Sequence, residues 1–395
     1  MVEPINNRKL RPWLRLIFGV AATCLVLALA FNSPAAFSKP ILKEAPANYI
    51  PKQTIDVGIH IKNISNLSLK DKTFSADGWF WLKWPEHVQE LIKANNIDLL
   101  EIVEFVNLVQ PWDSQIELDG SEPTLTSHGK YFQGYRFSGQ FYQEDIDLRR
   151  FPFQSISLPL TIETRPASFS MESEAIILRS EVDTKTILGD YINFNGYKLM
   201  GSSINPNIHI YRTTFGEENT ESGGSYSTIN FIANYKTDTA SAIYQYIIPW
   251  LIVMAIIILA PNLDGKMGEV RLAIPSTMLL TLVFLQQGAR ENIPPLEYTT
   301  FLDKIYLFGF IAALSLFSIF VWASNLYDNQ PIEMHESVSR KVARVDTIFQ
   351  VSTIVATVGI LFGHLASCCR MIYQSQQTRP KRKAIYSWPA TSCRC

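Results

Sequence analysis

Two carboxylates, Glu269 and Glu291, stand near the ends of one apolar segment. As a helix, the segment between them rises about 33 Å, which is close to the thickness of a bilayer's hydrocarbon core. A carboxylate in such a segment is costly unless it faces water or a partner, and by default it marks an ion pathway. The spacing therefore indicates attraction of ions at both ends of a pore. The alternative is that both groups only cap the span in the headgroup region.

Seven residues of this segment fall within about 80° of arc on a helix that turns about 100° per residue. We call this set the polar stripe: Glu269, Ala273, Thr277, Leu280, Phe284, Gln287 and Glu291. Repeated around a symmetric ring, the stripe would line a pore, with Leu280 and Phe284 as a hydrophobic constriction that gates by dewetting. Pro275 lacks a backbone N–H and disturbs the helix, which a packed bundle tolerates. The residues alone predict an oligomeric channel.

The rest of the chain divides into a β-rich half and a membrane half. Of the 395 residues, 47% are hydrophobic and 18% are charged. Before residue 240 short apolar runs alternate with polar residues, which predicts the strands of a β-sandwich and one helix over Glu86–Asn95. Later apolar blocks predict four membrane spans, at residues 243–260, 270–288, 305–323 and 347–367. The predicted fold is an all-β extracellular sandwich, residues 40–240, followed by an all-α four-helix transmembrane domain, residues 241–367.

The predicted topology places the β-rich half outside the membrane. A basic stretch followed by the apolar run Leu16–Ala30 is typical of a secretory signal peptide, residues 1–30, and an uncleaved anchor is the alternative. Two loops would be cytoplasmic, one between the first two spans and a longer one over residues 324–346 between the last two. Both are basic, as the positive-inside rule prefers. The basic tail, residues 368–395, falls on the other side by this count and conflicts with that rule.

Composition excludes several classes of function. No cysteine lies in the β-rich half, so no disulfide can hold it. Residues 39–240 carry 26 Asp and Glu against 18 Lys and Arg, a balance that concentrates cations and argues against nucleic acid. The chain lacks catalytic and metal-site motifs. We therefore predict no enzyme activity, catalytic residue, metal or cofactor.

Four short motifs follow one another along the chain. They are FSADGWFWLKW (Phe74–Trp84), DLRRFPF (Asp147–Phe153), YIIP (residues 246–249) and PPLEYTTFLDK (Pro294–Lys304). In this order they resemble the pentameric ligand-gated ion channels, the Cys-loop receptor superfamily, and specifically its bacterial members. The second motif is similar to the loop at the base of the family's extracellular domain, and the fourth to the link between its second and third spans. We call them the base loop and the span link.

The resemblance implies a homopentamer in the lipid of a bacterial inner membrane, with a periplasmic sandwich and a pore for monovalent cations lined by the polar stripe. Glu269 corresponds to the family's intracellular selectivity carboxylate, Leu280 to its gate and Glu291 to its outer mouth. Arg271 lies about 200° from Glu269 and points away from the pore. Anion-selective relatives carry Ala or Pro in place of that carboxylate, so cation selectivity is expected. The implied gating contacts are Asp147, Arg150, Phe151, Pro152, Phe153, Pro294 and Tyr298.

The family binds its ligands between subunits, in a site walled by aromatic residues. The resemblance gives four aromatic candidates that could hold a cation by cation–π contact, namely Trp79, Trp112, Tyr211 and Tyr226. Arg165 stands where amine-binding relatives place a central aromatic, which argues against a complete amine cage. The sandwich core is the alternative place for each aromatic. Protons are the alternative stimulus, because some bacterial relatives open in acid. The β-rich half offers titratable carboxylates and histidines, namely His60, His87, His128 and His209.

This sequence departs from the family at four positions. Glu144 and Leu158 stand in place of the two cysteines that name the superfamily, as in bacterial members. Gln154 replaces the usual Asp after the base loop, and Thr237 replaces the usual Arg before the first span. The last two lie where binding is coupled to gating, so the coupling mechanism is left open. A non-conducting sensor anchored in the membrane is the alternative function, and it predicts a cytoplasmic output domain and no polar stripe.

Overall fold

The computed structural model describes residues 54–165, 176–211, 213 and 225–377. The predicted signal peptide and the last part of the predicted basic tail lie outside these residues.

The described strands form two sheets. The larger sheet contains β1 (Thr54–Ser68), β2 (Thr73–Pro85), β4 (Leu108–Val109), β5 (Gln115–Leu125), β6 (Lys130–Tyr142), β8 (Ile177–Ser180) and β9 (Leu188–Tyr191). The smaller sheet has the order β10 (Tyr197–Ile210), β11 (Ser225–Thr237), β7 (Ser155–Thr164) and β3 (Val103–Phe105). Strand pairs are antiparallel, except that β8 and β9 run parallel to β1.

The period-two pattern of β2 decides which of its side chains enter the core. Phe80 and Trp84 are buried, whereas Trp79 is half-buried on the other face of the strand. Phe80 stacks on Tyr135 with ring centroids 4.9 Å apart, and meets Phe105 of the smaller sheet edge-on at 5.2 Å. Such pairs contribute about 0.5–1.5 kcal/mol beyond the burial of their area. The two sheets therefore share one aromatic core, and the predicted β-sandwich is confirmed.

Helix α1 spans Glu86–Asn95, the range that the sequence predicts. Its apolar residues Val88 and Ile92 are buried, and Asn96 ends it in the left-handed conformation. A short polar residue such as Asn tolerates that conformation better than most residues do. The indole N–H of Trp84 donates to the Gln89 side chain at 2.8 Å, which fixes the helix to the end of β2.

Four long helices follow the sandwich. They are α2 (Thr239–Asn262, with a π-helical turn over Ile243–Ile247), α3 (Gly268–Arg290), α4 (Phe301–Asp328) and α5 (His335–Gln377). Each contains a stretch that is long and apolar enough to cross a membrane, and each predicted span falls within one of them. The helices exceed the predicted spans because hydropathy marks only the apolar part of a helix. Most of the predicted cytoplasmic loop over residues 324–346 is therefore helical, and α5 continues into the predicted tail.

The chain forms two compact units. Among the described residues, the first unit runs to Ile252 and adds Thr281–Leu307, and the second comprises Val253–Leu280 and the residues from Phe308 to Gln377. Helix α3 passes from one unit into the other without interruption at Pro275.

Candidate pore, coupling and ligand sites

All seven residues of the polar stripe are exposed on the single chain. The fully buried residues of α3 lie on its opposite side, between about 200° and 240° from Glu269, and are Arg271, Pro275, Leu282 and Ala289. Leu280 and Phe284 are 57% and 63% exposed although both are large and apolar. An exposed apolar patch flanked by polar residues marks a surface that meets a partner or a ligand pathway. The assignment of this stripe to a pore lining stays a prediction.

At the first end of α3 a glutamate is exposed and an arginine is buried. Glu269 faces outward from the chain, whereas Arg271 is 1% exposed. The Arg271 Nη2 donates to Asp346 Oδ2 of α5 at 2.6 Å, and its guanidinium lies 4.0 Å from the ring centroid of Phe320 in α4. Arg271 thus points away from the stripe, as the helical wheel predicts. Sequence reasoning missed Asp346, because it stands in a stretch that was interpreted as a loop.

The other end of α3 repeats this arrangement nearer to solvent. Glu291 is exposed, and Arg290 Nη2 and Nε donate to Asp303 Oδ1 at 2.8 and 3.1 Å. Asp303 also accepts hydrogen bonds from the backbone N–H and the hydroxyl of Thr300, while its own N–H donates to the Thr300 hydroxyl. This reciprocal capping box begins α4. The side chain of Arg290 remains 59% exposed.

The base loop and the span link are in direct contact within the first unit. The Leu148 N–H donates to the Tyr298 hydroxyl at 3.0 Å, and the Phe301 N–H donates to the Arg149 carbonyl at 2.9 Å. The Arg149 guanidinium lies 5.1 Å from the centroid of the Tyr298 ring. Movement of one segment must therefore reposition or break bonds to the other. Arg149, Leu148 and Phe301 were not among the predicted coupling residues.

The predicted coupling residues are distributed unevenly around this contact. Phe151 is 3% exposed and meets Tyr246 of α2 edge-on at 5.1 Å, and the Phe153 and Phe301 rings are 6.1 Å apart. Pro152, which follows a cis peptide bond, and Pro294 are both buried. Asp147 is exposed, and its carboxylate accepts the Arg149 N–H within the loop. Arg150 is half-buried.

The two departures from the family pattern beside the base loop meet each other. The Gln154 carbonyl accepts hydrogen bonds from the Thr237 N–H at 3.1 Å and from its hydroxyl at 3.2 Å. Gln154 is 2% exposed. The acceptor is the backbone carbonyl of Gln154, so this contact between β11 and the residue after the base loop depends on Thr237 and not on the Gln154 side chain.

The five ligand-binding candidates do not form one site within the chain. Trp79 lies on the larger sheet, and Trp112 is 83% exposed in a short turn, Pro111–Asp113. Tyr211 and Tyr226 meet edge-on, with ring centroids 5.4 Å apart, at one end of the smaller sheet. None of these four aromatic residues is fully buried, so the sandwich core is not their place.

The smaller sheet holds a buried carboxylate, Glu163, that sequence reasoning missed. It is 2% exposed and accepts hydrogen bonds from the hydroxyls of Tyr211 at 2.7 Å and Thr228 at 2.8 Å. The Nδ1 atom of His209 lies 2.8 Å from the same carboxylate. Burial, followed by the hydrogen bond to Glu163, raises the pKa of Tyr211. We call these four residues the carboxylate cluster.

Two further charges adjoin the carboxylate cluster. Glu104 of β3 pairs across the sheet with Glu163, and Arg165 Nε lies 3.0 Å from the Glu104 carboxylate. Arg165, the remaining ligand candidate, is therefore held by an acidic neighbour. Within the residues that the structure describes, no group of three or more His, Cys, Asp or Glu could hold a metal ion.

Trp79 lines an open cleft of about 260 Å³ on the larger sheet. Lys62 Nζ lies 5.9 Å and the Arg136 guanidinium 5.5 Å from the centroid of its indole ring, and the His60 ring is 6.2 Å away. Asp77 also lines the cleft. The face of Trp79 is thus already bordered by cations of the chain itself.

Comparison with known proteins gives one distant relative to consider. No protein-family profile matches the chain. The chain is similar to pH-sensitive chloride channel 2 of Drosophila melanogaster, with 19% identity over 306 residues, which cover 72% of this chain and 57% of the relative. The chain therefore spans less than two thirds of the length of that relative.

The β-sandwich, the four apolar helices and the channel relative together fit a pentameric ligand-gated channel. They support a membrane protein and point away from an enzyme. The relative is a chloride channel by name, so it does not support the expected cation selectivity.

Proposed function

We propose that this chain forms a homopentameric ion channel in a bacterial cell membrane, with the sandwich on the periplasmic side and the polar stripe of α3 around the pore. The observation that supports the proposal best is the exposure of the whole stripe, with a carboxylate at each end, on a helix whose opposite face is buried. Copies arranged around one axis would enclose these side chains and hydrate them. The sensor alternative gives no reason for such a stripe.

We propose cation selectivity, with Glu269 as the charged group of the inner mouth. Glu269 is exposed, whereas the neighbouring Arg271 is buried against Asp346. A ring of exposed carboxylates concentrates monovalent cations in a narrow mouth. The name of the Drosophila melanogaster relative favours anion selectivity. The experiment therefore has to decide whether cations or anions carry the current.

We propose protons as the stimulus and the carboxylate cluster as one place where they act. The pH sensitivity in the relative's name supports this choice. Histidine is the side chain that ordinarily changes charge between pH 5 and 8. His209 Nδ1 lies 2.8 Å from the buried Glu163 carboxylate, and this contact joins β10 to β7. The other titratable or charged groups around it are Tyr211, Tyr226, Glu104 and Arg165.

A small anion in the Trp79 cleft is the second candidate stimulus. Lys62 and Arg136 border the indole ring, and together they outweigh the single carboxylate of Asp77 in the lining of the cleft. Two such cations favour a carboxylate and disfavour the amine that a cation–π site would take. Because ligands of the family bind between subunits, the neighbouring subunit would complete this cleft.

The test is current through a planar bilayer that contains the purified protein under a KCl gradient, from neutral pH to about pH 5. We expect acid to open the channel and the current to reverse near the K⁺ equilibrium potential. His209→Ala should weaken the response to acid without changing the conductance, and His87→Ala, an exposed histidine of α1, is the matched control. Reversal near the Cl⁻ potential would contradict the selectivity. Silence at every pH, with and without small carboxylates, would favour the sensor.

Opening of the channel by acid must be separated from unfolding by acid. The ion pairs of Asp56 contribute stability that is lost at low pH. Asp56 is 4% exposed and accepts hydrogen bonds from Arg179 at 2.7 Å and from Lys130. Burial acts to raise its pKa, but the hydrogen bonds from these two cations lower it overall below its usual 3.8. Since the folded pKa is the lower one, this stabilisation is present above about pH 4 and is lost as the pH falls further.

We therefore expect Asp56 to change the melting temperature little between about pH 7 and pH 5 and to lower it below about pH 4. Thermal unfolding followed by circular dichroism measures this. Asp56→Asn should lower the melting temperature at neutral pH and flatten the acid fall. An unchanged acid fall in the variant would assign it to other carboxylates.

A further inference from the structure

An ion pair is buried where α3, α4 and α5 meet in the second unit. The Arg271 and Asp346 side chains are 2% and 7% exposed, and one hydrogen bond of 2.6 Å joins them. The Phe320 ring of α4 covers the guanidinium at 4.0 Å. Three helices thus hold one arginine in a position that excludes water.

This ion pair is only partly satisfied. Arg271 Nε and Nη1 and Asp346 Oδ1 are buried and make no hydrogen bond in the part of the chain that the structure describes. A buried pair with such gaps is a weak source of stability, and well-packed apolar residues in its place are often neutral or stabilising. Stability therefore gives little reason for this pair.

The position of Arg271 along α3 gives a better reason. It stands two residues after Glu269, which is exposed on the polar stripe. The other exposed charges just before this end of α3 are Asp264 and Lys266, which cancel. Within the start of α3 and the loop before it, Glu269 is therefore the exposed charge left uncancelled while Asp346 neutralises Arg271. An arginine released from its partner would reach water with its long side chain and cancel that charge.

We propose that Asp346 is a selectivity-determining residue of the channel, because it neutralises Arg271 and keeps it away from the inner mouth. The inference rests on the proposed function and concerns a residue 75 positions further along the chain. Asp346 never touches the permeating ion. It is a positioning residue, and Glu269 is the group on which it acts.

The first test measures the position of Arg271 without any current. Phenylglyoxal modifies accessible arginines, and mass spectrometry of the digested protein locates the modified residues. We expect Arg271 to be protected in the purified wild-type channel and modified in Asp346→Asn. Asp346→Glu, which keeps the charge, and Asp328→Asn, an exposed carboxylate of α4, are the controls and should leave it protected. Modification in wild type, or protection in Asp346→Asn, would overturn the proposal.

The second test measures the ratio of cation to anion permeability in a bilayer. Asp346→Asn should lower this ratio about tenfold, as expected when the field of a charged mouth is removed. The double variant Arg271→Gln with Asp346→Asn removes both charges of the pair and should keep the wild-type ratio, because Glu269 is unchanged. A lowered ratio in the double variant would show that Arg271 is not the charge that reduces selectivity and would overturn the proposal, even if Asp346→Asn alone does not fold.

The two tests separate the inference from the function beneath it. If no variant and no wild-type protein conducts, the proposed function fails, while the labelling result still decides whether Asp346 holds Arg271. If the wild type conducts and labelling is the same in all variants, the channel stands and the role of Asp346 fails. A structural role alone would change the melting temperature of Asp346→Asn but not its permeability ratio.

Discussion

The two ends of α3 carry the same pattern of charge at different depths. At each end a glutamate of the polar stripe is exposed, and a nearby arginine is paired with an aspartate of another helix. At the inner end both partners are buried, whereas at the outer end Arg290 is 59% exposed. Water and salt screen an exposed pair strongly and a buried pair much less. The difference teaches that the fold fixes the charge at the proposed inner mouth, whereas the charge at the proposed outer mouth responds to the solution.

The outer end also adjoins the contact that would carry a signal. The cap residue Thr300 and its partner Asp303 lie next to Phe301, which is bonded to the base loop through the Arg149 carbonyl. A rearrangement of the base loop would therefore reach the helix start that holds Arg290. The following predictions, from the largest effect to the smallest, would break or sharpen this comparison.

Removal of the two carboxylates should affect selectivity unequally. Glu269→Gln should lower the ratio of cation to anion permeability about tenfold or more, because it removes the exposed charge of the polar stripe at this end of α3. Glu291→Gln should change it only about twofold, because Glu291 is exposed beside a solvent-exposed ion pair and salt screens its charge. Reversal potentials under a KCl gradient measure both. Equal effects of the two variants would remove the distinction between the ends.

The apolar residue Leu280, between the two ends of α3, should control the opening of the channel. Leu280→Thr should favour the open state by about tenfold, because a hydroxyl at an apolar constriction lowers the cost of wetting it. Leu279→Thr makes the same change beside the stripe and is the matched control, with little expected effect. Single-channel open probability at fixed pH measures the difference. A stronger effect of Leu279→Thr would shift the pore lining to another face of α3.

Loss of the Tyr298 hydroxyl should weaken coupling at the outer end. Tyr298→Phe leaves the Leu148 N–H without its acceptor, and such an unsatisfied group costs about 1–3 kcal/mol. We expect a lower melting temperature and a need for more acid to open the channel, with unchanged selectivity. Tyr191→Phe, at an exposed tyrosine of β9, is the control. An altered permeability ratio in Tyr298→Phe would mean that this contact shapes the pore itself.

The smallest effect should come from the outer ion pair. Arg290→Gln should cost about 0.2–1 kcal/mol of unfolding free energy and still less at high salt. Arg271→Gln breaks the buried pair and should cost about 3–5 kcal/mol, with little dependence on salt. Melting temperatures at low and high KCl compare the two. If both costs fell equally with salt, the inner pair would be as accessible as the outer one.

Local patterns allowed much of the fold to be predicted. The alternation in β2 places Phe80 and Trp84 inward and Trp79 outward, and the ends of α1 coincide with the predicted ones. The same reasoning underestimated α5, which begins at His335 and continues to Gln377. Helical residues beyond the apolar stretch carry no hydropathy signal, so the sequence did not show that the helix extends on both sides of the predicted span.

Some candidate sites follow from local sequence patterns, and others depend on the tertiary structure. The polar stripe follows from the helical period, because residues on one face of a single helix are neighbours whatever surrounds them. The sequence pattern of β7 does not predict that Glu163 is buried. Its carboxylate is held by hydrogen bonds from Tyr211 and Thr228, which belong to other chain segments. The contact between Gln154 and Thr237 likewise joins positions far apart in sequence.

The sequence by itself determined the β-sandwich, the four apolar helices and the exposed set from Glu269 to Glu291, because each follows from spacing within one segment. The tertiary structure alone decided which charges are cancelled. Arg271 and Asp346 are 75 residues apart, and only the packing of helices brings their charges within 2.6 Å. Electrostatic energy depends on distance and burial, and neither quantity is written in the order of the residues.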